Sequence, residues 1–165
     1  MSVANAQNIR PETAATRVYQ LIPNLPQENQ YLSQETGETD LDNTLISRLI
    51  RYHQYIKNRP LNYRLDWKLT LADYLGVNEP IRNFRYPGSS TLENNPLEGD
   101  RAVINSLSRL QRNELVNTLI SIYSGQSQNN SPSSLPDDSP PQPASSNPNS
   151  LPRLPQSGDA ELLLP

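Results

Sequence analysis

Apolar positions between residues 40 and 60 recur at steps of three and four, which is the spacing of an amphipathic helix. These positions are Leu45, Ile46, Leu49, Ile50, His53 and Ile56. The carboxylates of Asp40 and Asp42 can accept hydrogen bonds from the free N–H groups at a helix start, so we expect the helix to begin between Asp40 and Asn43. Pro60 ends it, because the residue before a proline avoids the helical conformation.

The next segment has two interpretations. Apolar and polar residues alternate from Leu61 to Leu71, as in a strand, yet Asp66 suits the start of a helix and Gly76 suits its end. We choose a helix over residues 67–75, preceded by an extended segment. A further short helix is predicted from Pro80 to Phe84.

The last two helices are predicted from their capping residues. Asp100 can cap a helix whose apolar residues are Ala102, Val103, Ile104 and Leu107. Ser108 and Gln111 have the spacing of a capping box, and they precede a helix that ends at Gly125 and carries Leu115, Val116, Leu119, Ile120 and Tyr123. The sequence therefore predicts an all-α domain over residues 40–125, a small bundle of four or five short helices with disordered N- and C-terminal arms.

Both ends of the chain have few residues to bury. Residues 1–39 are predicted to be a mostly disordered arm, in which residues 17–32 form an extended docking segment with a strand-like start. Residues 126–165 are rich in Pro, Ser and Asn, a composition that does not support a packed core. We expect a disordered tail there, with an apolar tip at Leu162, Leu163 and Leu164.

Charge and composition limit the kinds of functional site that the chain can contain. The chain has 165 residues and a formal net charge of −3, but residues 40–125 contain eleven basic and nine acidic residues, so the predicted domain is mildly basic. The absence of cysteine excludes disulfides, thiolate metal sites and thiol nucleophiles, and it favours a reducing compartment. We therefore expect a cytoplasmic protein.

One stretch, residues 69–85, resembles the helix-turn-helix of DNA-binding regulators. The matching positions are Leu71, Ala72, Leu75, Gly76 and Val77, which correspond to the packing and turn residues of that motif. The resemblance implies a second helix in the major groove, with Arg82 and Arg85 facing DNA. Pro87 limits that helix to under two turns, so we expect no sequence-specific duplex binding.

A second stretch, residues 48–68, interleaves basic and aromatic residues. They are Arg48, Arg51, Lys57, Arg59, Arg64 and Lys68 with Tyr52, His53, Tyr55, Tyr63 and Trp67. This composition is typical of surfaces that bind single-stranded nucleic acid through phosphate contacts and base stacking. We prefer the alternative, a helix face whose rings pack inward while the basic side chains cover apolar surface.

No pattern points to catalysis, a metal or a cofactor. His53 is the only histidine, and no carboxylate motif accompanies it. Glu38, Asp40 and Asp42 are grouped like part of a calcium loop, but the required glycine and distal glutamate are missing. We expect no catalytic residue, no metal ligand and no cofactor.

The sequence thus predicts a non-enzymatic adaptor or assembly protein that acts through protein–protein contacts. The predicted partner contacts are Tyr52, Tyr55, Trp67, Leu162, Leu163 and Leu164. The alternative is a small nucleic-acid-binding regulator that uses the 69–85 element and the basic 48–68 face, with contacts from Arg48, Arg51, Arg82 and Arg85. An enzyme ranks third.

Overall fold

The chain is described for residues 9–125 by a computed structural model, and these residues form five α-helices. They are α1 (Pro11–Leu21), α2 (Leu45–Arg51), α3 (Arg64–Tyr74), α4 (Leu97–Ser106) and α5 (Arg109–Tyr123). Helix α2 continues directly into a π-helical turn, Tyr52–Ile56, and a 3-10 turn covers Asn83–Arg85. Between residues 9 and 125 there is no strand, only isolated bridges that pair Leu32 with Thr39 and Ser33 with Leu92. The predicted all-α fold is confirmed.

Helix α1 corrects the expectation of a disordered arm that turns into an extended segment at residues 17–32. For residues 11–21 that expectation is wrong. Pro11 suits the first helical position, because it has no N–H that needs a partner there. Ala14, Ala15 and Val18 are almost completely buried, and α1 packs against α2 and α5. The helix was missed because its buried stripe consists mostly of alanine, which contributes little to an apolar pattern.

Helix α2 is the central helix of the domain, and every residue from Leu45 to Ile50 is buried. It begins slightly later than predicted, since Thr44 is its N-cap and accepts a hydrogen bond from the Ser47 N–H at 3.2 Å. In the π-helical turn the Lys57 N–H donates to the Tyr52 carbonyl, five residues back. Asn58 then ends the helix in the left-handed conformation (φ 50°), before Pro60 is reached.

Helices α3 and α5 run antiparallel. The rings of Trp67 near the start of α3 and Tyr123 at the end of α5 are stacked, with centroids 6.2 Å apart. At the other end, Leu75, directly after α3, and Arg109, at the start of α5, line the same cavity. Of the two interpretations for residues 61–71 the helix is correct, although α3 begins at Arg64 and not at residue 67.

The caps predicted for the last two helices had different outcomes. The Ser108–Gln111 capping box is confirmed: the Gln111 N–H donates to the Ser108 hydroxyl at 3.2 Å, and the Ser108 N–H donates to the Gln111 side-chain oxygen at 2.8 Å. Asp100 is not an N-cap, because α4 begins at Leu97 and Asp100 lies inside it, fully buried. The helix predicted from Pro80 to Phe84 is only the 3-10 turn.

Asp100 is buried because it pairs with Arg48 of α2 in the core. Both side chains are completely inaccessible to solvent. The Arg48 guanidinium donates to both carboxylate oxygens, from Nε at 2.7 Å and from Nη2 at 2.6 Å. Arg48 also donates to the carbonyls of Glu28 and Asn43, and the Tyr86 hydroxyl donates to Asp100. This cluster connects α2 and α4 with the segment between α1 and α2 and the segment between α3 and α4.

Two parts of the sequence-based prediction lie outside the described residues. They are the start of the N-terminal arm, residues 1–8, and the tail over residues 126–165 with its tip at Leu162, Leu163 and Leu164. None of the helices found between residues 9 and 125 is long and apolar enough to cross a membrane.

The burial of α1 predicts that Val18→Asp in the full-length chain will lower the free energy of unfolding by about 3 kcal/mol or more. The substitution places an unpaired charge in the core. The matched control is Gln20→Asp, which adds the same charge at an exposed position of α1. Urea unfolding followed by Trp67 fluorescence measures both. Equal unfolding midpoints would show that α1 is not part of the folded core.

Candidate functional site

The basic and aromatic residues of the 48–68 stretch divide between the core and the surface. Arg48, Tyr52 and Trp67 are at most 2% exposed, so in the folded domain these three side chains offer almost no surface to a partner protein. Tyr55 is 58% exposed. Arg51 is partly buried and forms an ion pair with Glu12 of α1. Of these predicted contacts, Tyr55 alone is fully open to a partner.

The helix-turn-helix resemblance extends to the first helix and the turn only. Helix α3 ends at Tyr74, and Gly76 adopts the left-handed conformation (φ 73°) that a side chain would disfavour. Residues 77–82 contain no helix, and residues 83–85 make a single 3-10 turn. Arg82 and Arg85 therefore lie on a loop and not on a recognition helix.

Asp73, at the end of α3, determines the path of that loop. One oxygen of its buried carboxylate accepts hydrogen bonds from the Asn78 side chain at 2.7 Å and the Glu79 N–H at 3.0 Å. The other oxygen accepts from Arg59 at 2.7 Å and from the Tyr52 hydroxyl at 3.2 Å. Asp73 thus holds the loop after α3 against the π-helical turn and the residues that follow it.

The loop and the π-helical turn form the walls of an open cavity of about 310 Å³, called here the basic cavity. It is lined by Tyr52, Ile56, Lys57, Glu79, Pro80, Arg82 and Arg85. Glu79 is its one acidic lining residue, and that carboxylate pairs with Lys57 and, at 3.7 Å, with Arg59. No carboxylate within residues 9–125 pairs with Arg82 or Arg85. The cavity therefore has an excess of positive charge, and π-helical turns such as its wall often occur at functional sites.

A second surface lies between the antiparallel helices α3 and α5, and it is called here the α3–α5 groove. It has a volume of about 280 Å³ and is lined by Lys68, Leu71, Ala72, Leu75, Arg109, Arg112, Asn113 and Val116. The buried Leu71 and Val116 form its floor, with the partly buried Ala72 and Leu75 beside them. Leu65, one helical turn before Lys68, is 68% exposed and extends the apolar surface of α3.

Three basic side chains border the α3–α5 groove. Lys68 and Arg109 are exposed, and neither pairs with a carboxylate of residues 9–125. Arg112 donates to the carbonyl of Leu107 at 2.5 Å, which holds its side chain against the end of α4. The groove thus combines an apolar floor with a positively charged rim, on two packed helices.

The sequence predicts other roles for Lys68, Leu71, Ala72, Leu75 and Val116, and it does not join them with Arg109 and Arg112 into one surface. Arg109, Arg112 and Val116 are spaced by three and four residues, so the sequence alone places them on one face of a helix. A search for basic residues that border a partly apolar helix face would have found them. The spacing does not reveal that Lys68 of α3 and Leu75, directly after α3, line the same groove, because that depends on how the two helices pack.

His53 is a core residue held in one tautomer. Its ring is stacked on that of Trp67, with centroids 3.7 Å apart. Nε2 lies 3.0 Å from the Pro60 carbonyl, which can only accept, so Nε2 carries the proton and Nδ1 accepts from the Thr70 hydroxyl at 2.8 Å. Burial lowers the pKa of His53 to about 4, so the ring is neutral near pH 7.

Across residues 9–125, no three His, Asp or Glu side chains are grouped to hold a metal ion.

The depressed pKa of His53 predicts a loss of stability in mild acid. The unfolded chain takes up the proton near the ordinary pKa of 6.5 and the folded chain only near 4. The contribution of neutral His53 is therefore complete above about pH 6.5 and is lost progressively as the pH falls to about 4, by roughly 3 kcal/mol. We expect the free energy of unfolding of His53→Gln, measured by urea unfolding, to fall less over this range than that of the wild type. Parallel pH profiles would contradict this account.

Comparison with known proteins finds no relative: no family model, no curated protein and no solved structure matches the chain. A function for the chain therefore has to be argued from its own residues, their burial, their charges and their distances. The basic cavity and the α3–α5 groove are surfaces of the described residues that combine a defined shape with an excess of positive charge.

Proposed function

We propose that the protein is a non-enzymatic adaptor that binds a helical segment of a partner protein in the α3–α5 groove. The observation that supports this proposal is the groove itself, in which an apolar floor is bordered by Lys68, Arg109 and Arg112. A groove between two antiparallel helices offers ridges and grooves into which a third helix can pack. Binding of an amphipathic helix in an apolar groove is a common mode of peptide recognition.

The chemistry of the groove indicates the chemistry of its occupant. The apolar lining includes Leu71, Leu75 and Val116, so the partner helix carries apolar residues at steps of three and four along one face. Each leucine that becomes fully buried contributes roughly 1.5–3 kcal/mol. The unpaired cations at the rim favour Asp and Glu beside that apolar stripe. Charge complementarity of this kind mainly increases the rate of association and excludes basic partners.

Nucleic-acid binding ranks second for this chain. Of its four candidate contacts, Arg48 is buried with Asp100 and Arg51 pairs with Glu12. Arg82 and Arg85 lie on a loop that contains a single 3-10 turn. Residues 69–85 therefore contain no second helix after α3 that could enter the major groove.

Site-specific photo-crosslinking tests the adaptor proposal. A photoreactive residue at Asn113, in the groove, should crosslink to acidic amphipathic helices of another protein in cells that express the full-length chain. The matched control is the same photoreactive residue at Glu114, which is adjacent on α5 but points about 100° away and is exposed. The crosslinked peptides are identified by mass spectrometry, so both the partner and its chemistry are read directly.

Charge reversal at the rim tests the role of the cations. Lys68→Glu with Arg109→Glu should lower the crosslinking yield at Asn113 at least tenfold, because both sides of the contact are then acidic. Arg10→Glu with Arg17→Glu makes the same charge change at exposed positions near α1 and should leave the yield unchanged. Equal yields at Asn113 and Glu114 would refute the proposal, as would crosslinks only to other copies of this chain.

A further inference from the structure

The basic cavity is separate from the α3–α5 groove, and its net positive charge favours an anionic ligand. Three of its lining residues, Lys57, Arg82 and Arg85, are cationic, and Glu79 is the one anion among them. Asp73, whose carboxylate holds the loop, already accepts four hydrogen bonds and is buried. The cavity thus has two positive charges that no described carboxylate balances.

Glu79 indicates what kind of group this site favours. Its carboxylate lies between Lys57 and Arg59, although 58% of the Glu79 side chain is exposed. Its backbone N–H is held independently by Asp73 at 3.0 Å. The side chain can therefore move away while the loop keeps its path. A stronger anion that enters the cavity can take its place beside Lys57.

From this arrangement we infer that the basic cavity binds a phosphomonoester dianion, carried by a phosphorylated side chain of a protein. Two negative charges match the two unbalanced positive charges of the site. Guanidinium groups such as those of Arg82 and Arg85 donate in pairs to phosphate oxygens. Lys57 acts as a point charge, and Ile56 with Pro80 provides apolar wall for the carbon part of the side chain.

The shape of the cavity favours a phosphorylated side chain over a nucleic-acid strand. A volume of about 310 Å³ is at the lower end for ligand sites, which suits one phosphoryl group with its side chain. A single strand carries one charge per phosphate and needs a groove with several stacking rings. Phe84, 74% exposed on the 3-10 turn between Arg82 and Arg85, is the one aromatic residue in that turn. The three cations meet in one cavity and do not follow a strand.

Titration of the ¹⁵N-labelled full-length protein tests this inference. The probe is a short glycine-flanked phosphoserine peptide, with the unphosphorylated peptide and single-stranded oligothymidylate as the comparison arms. We expect saturable shifts of the backbone amide signals of Lys57, Arg82 and Arg85 with the phosphopeptide only. Because the second pKa of a phosphomonoester is about 6, the affinity should fall several-fold between pH 7.5 and 5.5.

Three variants make the test specific to the cavity. Arg82→Gln with Arg85→Gln should weaken phosphopeptide binding at least tenfold, whereas Arg64→Gln, an exposed cation at the start of α3, should have no effect. Glu79→Gln should strengthen binding several-fold, because the competing carboxylate is gone. The amide signals of His53 and Trp67 report that each variant is folded.

Two kinds of outcome would overturn the inference. Phosphopeptide binding that is absent, or that is unchanged in the Arg82 and Arg85 variant, would show that the cavity holds no phosphoryl group. Tighter binding of oligothymidylate at equal phosphate concentration would assign the cavity to nucleic acid. Neither result bears on the α3–α5 groove, since the two surfaces share no lining residue.

Discussion

The ion pair between Arg48 and Asp100 is the constraint on which the rest of the fold depends. Two charges removed from water are costly, and the cost is offset only if their geometry and their remaining hydrogen bonds are good. Here the guanidinium contacts both carboxylate oxygens and two backbone carbonyls. Burial raises the pKa of the Asp100 carboxyl, and the hydrogen bonds and charge of Arg48 oppose that rise. Because the partners lie on α2 and α4, the pair fixes these two helices and the loops at Glu28 and Asn43.

A chain of tyrosines connects this ion pair to the basic cavity. The Tyr86 hydroxyl donates to Asp100, and the hydroxyls of Tyr86 and Tyr74 lie 2.8 Å apart. The ring of Tyr74 meets that of Tyr52 edge to face at 5.7 Å, and the Tyr52 hydroxyl donates to Asp73. Two buried carboxylates are thus joined by three aromatic side chains. The loop that carries Arg82 and Arg85 is positioned by the same polar core that holds α2 against α4.

Local features of the fold could be predicted from the sequence, and long-range ones could not. The Ser108–Gln111 capping box and the end of α3 at Gly76 depend on residues a few positions apart, so their spacing reveals them. Arg48 and Asp100 are 52 positions apart, and each alone looks like an exposed or capping residue. Helix α1 escaped notice because Ala14 and Ala15 pack closely without a strong apolar pattern. The cavity and the groove are each lined by two separate segments, so only tertiary packing brings their residues together.

A double-mutant cycle on Arg48 and Asp100 tests the central claim most directly. Arg48→Met and Asp100→Leu each leave one buried charge without its partner, so each alone should cost about 3–5 kcal/mol of unfolding free energy. The double variant removes both charges and should cost much less than the sum of the two. Urea unfolding of the full-length chain measures all four proteins. Additive losses, or single variants as stable as the wild type, would show that the fold does not depend on this ion pair.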